Sequence, residues 1–225
     1  MFQRIFLTAL IAGVVAGLFA AGVQRIKIIP LIDRAEVYEA GEAHGGDAGA
    51  GLAQAWQPQA GLERAAYTAL ADVLAGIGFA LLLTGAIALA GLRGYVINAQ
   101  RGILWGAAGF TVFALAPALG LPPLPPGMEA AALVQRQVWW IATAATTALG
   151  LGLIVFTRKL VYLVIGVGLL ILPHLIGAPE PPEIGGKVPA GIVAEFVVAS
   201  LAAAGLFWLL LGALTGWLYH RFGRA

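Results

Sequence analysis

Uncharged and mostly apolar stretches recur six times along the chain, and the charged residues lie between them. The stretches cover residues 5–24, 73–92, 102–128, 137–157, 160–179 and 196–220. A helix needs roughly 20 apolar residues to cross a hydrocarbon core of about 30 Å, and each stretch meets or nearly meets that length. We therefore predict six transmembrane helices, at about residues 5–24, 67–91, 102–119, 137–156, 160–176 and 194–218.

The continuity of the apolar stretches predicts an all-α, polytopic membrane helix bundle. In lipid only helices and closed barrels satisfy their backbone hydrogen bonds, and barrel strands alternate apolar and polar residues. Of the 225 residues, 60% are hydrophobic and 11% are charged, whereas soluble domains carry about 25% charged residues. We expect a single transmembrane domain over residues 1–225.

The charges are distributed unevenly between the two sides of this predicted bundle. One side holds no acid and seven basic residues in short segments, whereas all eleven acids fall on the other side with six dispersed basic residues. Because short cytoplasmic loops are enriched in Lys and Arg, we predict that both termini are cytoplasmic. The seven basic residues are Arg4, Arg93, Arg101, Arg158, Lys159, Arg221 and Arg224.

The fifth apolar stretch leaves an alternative of five spans. Thr157, Arg158 and Lys159 form a very tight turn before it, and Pro173 shortens its apolar run. A re-entrant fifth segment would place Arg221 outside, which the charge rule disfavours.

The first stretch also resembles a secretory signal. Its Gly13-xxx-Gly17 spacing instead favours a retained, packed helix.

The three predicted outer segments differ in composition. The first, residues 25–66, begins with a charged amphipathic run and continues as the glycine-rich GEAHGGDAGAG, which is typical of a flexible segment. The second and third, LGLPPLPPGMEA and PHLIGAPEPPEIGGKVP, are rich in proline and predict stiff, extended chain. We expect the latter two to form a rigid outer rim beside a mobile arm.

The first candidate metal site lies in AEVYEAGEAH, which contains Glu36, Glu39, Glu42 and His44. If this run is helical, Glu36 and Glu39 share one face. Carboxylates with one imidazole suit a borderline divalent ion such as Co²⁺, Ni²⁺ or Zn²⁺. The alternative is an ordinary solvated acidic segment, because charge runs usually have no further role.

Four further ionisable residues near the predicted outer helix ends are candidates: His174 as a metal ligand, and Asp72, Glu129 and Glu195 for an ion pathway. His174 follows Pro173, and ionisable groups at membrane depth are commonly functional, although His174 could instead bond a carbonyl that the proline frees. Asp72, Glu129 and Glu195 could form a funnel that concentrates cations. Alternatively, Asp72 and Glu195 pair with Arg64, Arg136 or Lys187 and hold the bundle together.

Several function classes are excluded or unsupported by the sequence. The chain has no cysteine and therefore no disulfide or thiolate metal site. A formal net charge of +2 gives no reason to expect a nucleic-acid partner. No nucleotide-binding or catalytic motif is present, and we predict that the protein is not an enzyme.

We interpret Trp139 and Trp140 as interfacial anchors, and Thr143, Thr146 and Thr147 as hydroxyls bonded to helix backbones or neighbours.

Several segments together resemble the CbtA family of proposed cobalt transporter subunits linked to vitamin B12 synthesis. These are RIFLTALIAGVVAGL, QRIKIIPLIDRAEVYE, WQPQAGLERAAYT, WGAAGFTVFALAPALGLPPLPPGM, RQVWW and LPHLIGAP. They cover nearly the whole chain. The combination of LAPALGLPP, RQVWW and PHLIGAP is more specific than any one of them.

The resemblance implies Co²⁺ import across the bacterial inner membrane, with Co²⁺ as the transported ion rather than a bound cofactor. It also implies a small single-helix partner, CbtB, whose histidine-rich tail would complement the three histidines of this chain. We also expect the protein to contact membrane lipid, and a homo-oligomer is an alternative to a monomer in the membrane. The family is usually described with five spans, whereas the charges favour six. The alternative to a permease subunit is a non-transporting scaffold for the histidine-rich partner.

Overall fold

The computed structural model describes residues 1–43, 61–157, 159–181 and 185–223, and for residues 39–43 it describes the backbone alone. Within these ranges the chain is helical and forms no strand, which confirms the predicted all-α class. The elements are α1 (Phe2–Val23), a first π-helical turn (Gln24–Ile28), α2 (Ile29–Ala43), α3 (Leu62–Leu92), α4 (Ala99–Phe110), a second π-helical turn (Thr111–Leu115), α5 (Ala116–Ala118), α6 (Leu133–Phe156), α7 (Leu160–Ile176) and α8 (Ala190–Arg221).

Five helical rods of the described chain are long and apolar enough to cross a membrane. They are Phe2–Tyr38, Leu62–Leu92, Ala99–Ala118, Leu133–Phe156 and Ala190–Arg221. The sixth, α7, is apolar but has 17 residues, or about 25 Å at 1.5 Å per residue. Its bounds are those expected from the sequence, and Gly177, with φ +88°, ends it.

The first helix is longer than the predicted span of residues 5–24. It continues through the first π-helical turn into α2, so the charged run up to Ala43 is helical rather than loop. Apolar side chains on α2 explain why the helix continues past residue 24, because they pack against α8 and the segment just before it. Leu31 packs with Phe196 of α8, and Ala35 packs with Val188 and Ile192.

Successive membrane-length helices are antiparallel, which gives the bundle two ends. At one end, which we call the basic end, Arg4 of α1 contacts Tyr219 near the end of α8. At the other, the acidic end, Gln24 contacts Asp72 of α3. The hairpin of α6 and α7 follows the same order, because Trp139 near the start of α6 contacts His174 near the end of α7.

Glycines bring three pairs of helices into backbone contact. Gly13 and Gly17 of α1 lie against the backbone of α3, as the small-xxx-small spacing predicts. Gly102 and Gly106 of α4 lie against Gly212 and Gly216 of α8, and Gly150 of α6 lies against Gly166 of α7. A methyl group at any of these positions would meet backbone atoms of the partner helix.

The α6–α7 hairpin joins the other helices mainly through the second π-helical turn and α5. Phe113 of that turn stacks on Trp208 of α8, with ring centroids 5.4 Å apart, and it also contacts Phe79 of α3. On its other side Phe113 contacts Trp140 of α6, at 6.1 Å. Phe113 therefore links the hairpin to the group of α1, α3, α4 and α8, which we call the glycine-packed core. Phe156 of α6 makes a second link, because its ring lies 6.0 Å from that of Trp105 of α4.

The second and third outer segments contact each other at the acidic end. Met128 forms an isolated antiparallel bridge with Gly186, and its side chain packs against that glycine. Met128 also joins the apolar cluster of Ala35, Val188 and Ile192. The methionine is thus a packing residue of the rim over this end of the bundle.

Candidate functional site

A cavity of about 1720 Å³ lies at the acidic end, beneath the proline-rich outer segments. Its floor comes from the second π-helical turn and α5, its walls from α6 and α8, and its roof from residues 119–131 and 178–181. Most of the surface is apolar. The polar and ionisable side chains among the lining residues are Glu129, Arg136, Gln137, His174, Glu180 and Ser200.

One predicted metal ligand, His174, and one predicted ion-pathway residue, Glu129, line this cavity. Glu129 is exposed and lies in the segment between α5 and α6, whereas His174 is half-buried in the last turn of α7. Pro173 and Gly177 fix the backbone on either side of His174: the proline lacks an N–H, and the glycine turns the chain out of the helix. A carboxylate and an imidazole therefore face the same space.

His174 also lines a second, smaller cavity of about 500 Å³. This cavity lies between α7 and the third membrane helix, and its other lining residues include Leu115, Leu170 and Thr111. Thr111 is the first residue of the second π-helical turn. His174 and Leu119 are thus the residues that the outer cavity and this inner crevice share, and His174 is the ionisable one of the two.

The imidazole of His174 contacts the Trp139 ring edge-on, with centroids 5.9 Å apart. Trp139 is 8% exposed, and its ring lies against Gly120 of the second outer segment. It is therefore a buried wall of the site, and the interpretation of Trp139 as an interfacial anchor was wrong. The Trp139 ring limits the rotamers that the His174 side chain can adopt.

Asp72 lies away from this cavity, where α1 packs on α3. Its Oδ1 accepts a hydrogen bond of 2.9 Å from Nε2 of Gln24, the first residue of the first π-helical turn. Its Oδ2 is buried and has no hydrogen-bond partner within the described protein. The predicted partners of Asp72 were Arg64, Arg136 or Lys187, whereas its observed partner is Gln24.

Two ion pairs hold α2 at the acidic end, and both are partly exposed. Arg34 pairs with Glu195 at 3.1 Å, and Arg64 pairs with Glu36 at 3.8 Å. The pairing of Glu195 follows the structural alternative, although its partner is Arg34 rather than a predicted one. Each pair is worth little energy in water but fixes α2 against α8 and α3.

The proposed collecting site is described in part. Glu36 is engaged with Arg64, whereas the side chains of Glu39 and Glu42 and the whole of His44 lie outside the described residues. Among the residues that the structure describes, no group of three or more His, Asp or Glu side chains is placed to hold a metal ion. His174 and Glu129 are thus the predicted ligands that share a cavity.

Comparison with known proteins gives one match. The model of the CbtA family, described as "Probable cobalt transporter subunit (CbtA)", matches residues 2–220 of the 225. No curated protein and no solved structure matches the chain.

Proposed function

Because the chain belongs to the CbtA family of probable cobalt transporter subunits, we propose that it is the permease subunit of a bacterial inner-membrane importer of Co²⁺. Co²⁺ is the cargo in this proposal, and Ni²⁺ and Zn²⁺ are the natural competitors, since carboxylate and imidazole ligands suit all three ions. The family description is that of a transporter subunit, which indicates a non-enzymatic role.

The observation that carries the proposal is the position of His174, which the outer cavity shares with the inner crevice. In the proposal, an ion that enters between the proline-rich segments meets the exposed Glu129 first and the half-buried His174 after it. The carboxylate attracts the cation, and the imidazole replaces part of its hydration. Two weak ligands are an advantage in transport, because the ion must also leave.

The remaining predicted residues supply charge around this entrance. Glu36, with Glu39, Glu42 and His44 further along, forms a loose collecting site in the proposal, and Asp72 and Glu195 add negative charge at the same end. Asp72 and Glu195 already have partners in Gln24 and Arg34. We therefore assign direct ion contact to Glu129 and His174 rather than to these two carboxylates.

The membrane potential is sufficient to drive such an import. A negative-inside potential of 100 mV supplies about 2.3 kcal/mol per charge, hence about 4.6 kcal/mol for a divalent cation. At about 1.4 kcal/mol per tenfold change, this corresponds to roughly three powers of ten in accumulation. Neither ATP nor a coupling ion is required.

The direct test is Co²⁺ uptake into proteoliposomes under an imposed negative-inside potential. We expect His174→Ala to slow uptake at least about tenfold, equivalent to about 1.4 kcal/mol in the barrier. His220→Ala is the matched control, because His220 lies in the last turn of α8 at the basic end, away from the cavity. Equal uptake by the two variants would remove His174 from the route.

A second arm of the same experiment tests the driving force. Collapse of the potential at constant pH is expected to slow Co²⁺ uptake, because the divalent cation then loses its electrical gradient. Uptake that is indifferent to the potential but follows a pH gradient would replace the uniport with proton coupling. Ni²⁺ and Zn²⁺ added outside measure selectivity in the same assay.

The glycine-packed core supports a second candidate, a non-transporting scaffold. Backbone contacts at Gly106 and Gly212 leave no space for an ion between α4 and α8. A scaffold would bind its partner but show no Co²⁺ uptake in proteoliposomes, with or without that partner. The cavity beside the core is the feature that favours the permease.

The word "subunit" in the family description implies a partner. We propose that this is CbtB, a small single-helix protein with a histidine-rich tail. The large cavity opens between the faces of α6 and α8, which offers such a helix a place next to His174. Co-purification of the two proteins, and its loss on substitution of Ile141 or Leu201 by Trp in that cleft, tests this placement.

A further inference from the structure

Three buried polar atoms that have no hydrogen-bond partner among the described residues lie along one face of α6. They are the indole Nε1 of Trp139 and the hydroxyl oxygens of Thr143 and Thr147. The residues are spaced four apart, so they follow each other on successive turns of the helix. Trp139 is 8% exposed, and both threonines are completely buried.

Some other threonines of the described chain satisfy their hydroxyls differently, whereas Thr8 of α1 and Thr215 of α8 are, like Thr143 and Thr147, buried without a partner among the described residues. Thr84, Thr111, Thr146 and Thr157 each donate to the backbone carbonyl four residues earlier, at 2.6–2.9 Å. This is the usual solution for a hydroxyl in an apolar helix. Thr143 and Thr147 have the same option but do not use it, although a buried polar group without a partner is unfavourable.

The face that carries these three groups is directed toward α7. At its outer end Trp139 contacts His174, and at its inner end Gly150, three residues after Thr147, contacts the backbone of Gly166. Thr143 and Thr147 lie between these two contacts. The row therefore begins at Trp139, beside His174, and runs inward for about 12 Å, at 1.5 Å per residue over eight residues. It ends just before the backbone contact of Gly150 with Gly166.

We propose that this polar face of α6 is the continuation of the ion route inward from His174, with Thr143 and Thr147 binding the water that accompanies a divalent cation. The inference rests on the proposed function for the identity of the cargo. Hydroxyl groups both donate and accept hydrogen bonds, so they can hold water that keeps the ion partly hydrated. They bind the metal itself weakly, which allows the ion to pass on.

Trp139 has a separate part in the proposal. Its ring lies between the outer cavity and the two buried hydroxyls, packed under Gly120 and beside His174. The described conformation is thus closed below the ring, and the route opens when Trp139 turns away. The indole N–H then has a water molecule as its acceptor.

The absence of cysteine from the sequence makes an accessibility test direct. Single Thr143→Cys and Thr147→Cys variants are treated with a small hydrophilic thiol reagent added from the acidic end. Ala145→Cys is the matched control, because Ala145 lies at the same depth on the exposed side of α6. A thiol reacts as its thiolate, which needs water, so we expect positions 143 and 147 to react at least about tenfold faster than position 145.

Co²⁺ as the added probe sharpens this experiment. We expect Co²⁺ to protect Thr143→Cys in the otherwise unchanged chain and to lose that effect in the Thr143→Cys/His174→Ala double variant. Ala132→Cys, at the exposed start of α6, shows that the reagent reaches the acidic end. Reaction at position 132 without any reaction at 143 and 147 overturns the proposal.

Isosteric substitution separates transport from packing. Thr143→Val/Thr147→Val removes both hydroxyls without changing the shape of the face. A merely structural role predicts equal or greater thermal stability and unchanged Co²⁺ uptake, because two unsatisfied polar groups disappear. The proposal predicts at least about a tenfold loss of uptake by protein of wild-type stability, equivalent to about 1.4 kcal/mol.

Thr146→Val is the control on the same helix, because the hydroxyl of Thr146 is already bonded to Ala142. Unchanged uptake in the Thr143→Val/Thr147→Val variant overturns the role of these hydroxyls, even if the cysteine variants react. If the wild-type protein takes up no Co²⁺, the proposed function fails, and the labelling result alone then decides whether water reaches Thr143 and Thr147.

Discussion

The glycine-packed core and the α6–α7 hairpin differ in how closely they pack against neighbouring helices. In the core, Gly106 and Gly212 bring two helices together until their backbones touch. The hairpin has one such contact, at Gly150 and Gly166, and otherwise leaves a cavity of about 1720 Å³ between itself and α8. The core is therefore the closely packed part of the bundle, and the hairpin borders the cavity in which we propose that the ion binds.

The largest effect is expected from a methyl group in the core. Gly212→Ala places a Cβ 2.6 Å from the Cα of Gly106, and no flexible side chain is available to move aside. Overpacking of this kind typically costs about 1–3 kcal/mol, and a backbone clash should reach the upper end of that range. Thermal unfolding of the purified protein measures the loss.

Gly205→Ala is the control on the same helix. Its Cβ would meet the ring of Phe110 at an ordinary 3.7 Å, so we expect no loss and a gain of up to about 1 kcal/mol from helix propensity. If Gly212→Ala is as stable as Gly205→Ala, the backbone contact does not hold the core.

The next largest effect is expected where the core closes at the basic end. The guanidinium of Arg4 stacks 3.6 Å from the ring centroid of Tyr219, and Nε donates to the Tyr219 carbonyl at 2.7 Å. Arg4→Ala removes both interactions, at an expected cost of about 2 kcal/mol. Arg4→Lys should recover part of this, since Lys keeps the charge but not the planar fork.

Unfolding of Arg93→Ala provides the comparison for that measurement, because Arg93 is exposed at the same end of the bundle. A loss of stability as large as that of Arg4→Ala would mean that basic charge at this end, rather than the contact with Tyr219, is what matters.

A smaller effect is expected for the carboxylate of the core. Asp72→Asn keeps an acceptor for Gln24 and removes the negative charge, so Co²⁺ uptake should fall less than in His174→Ala. Uptake by the two variants, measured side by side, distinguishes an ion route beside the hairpin from a route beside the contact of α1 with α3. A greater loss in Asp72→Asn would reverse the comparison and place the route in the core.

The smallest effect is expected at the exposed pair of Arg34 and Glu195. Both side chains are more than half exposed, and solvent-exposed pairs contribute about 0–1 kcal/mol. Glu195→Gln should therefore leave unfolding within about 1 kcal/mol of wild type, and uptake unchanged. A strong loss of uptake in a stable Glu195→Gln protein would return Glu195 to the ion route.

The sequence predicted the membrane helices well because their boundaries carry strong local signals. The bounds of α7 follow from Lys159 on one side and from Pro173 and Gly177 on the other. The extension of the first helix to Ala43 was missed, since a charged helix beyond the membrane has no apolar run to mark its length. It depends on distant contacts such as that of Leu31 with Phe196.

The candidate site was predicted in part. His174 stood out as an ionisable residue at a helix end, but its neighbour Trp139 is 35 positions away and was interpreted as an anchor. The spacing of Trp139, Thr143 and Thr147 is visible in the sequence, whereas the burial of their face is not. In a membrane protein both lipid-facing and protein-facing sides of a helix are apolar, so hydropathy does not separate them.

The helical extension α2 has a consequence for ionic strength. Ile32 lines the large cavity, and Glu36 lies one turn further along the same face, about 6 Å away along the axis. The Debye length at physiological ionic strength is about 8 Å, so the field of Glu36 reaches the cavity mouth although Arg64 offsets part of it. Added salt should therefore slow the arrival of the cation at the cavity while leaving its later passage beyond His174 unchanged.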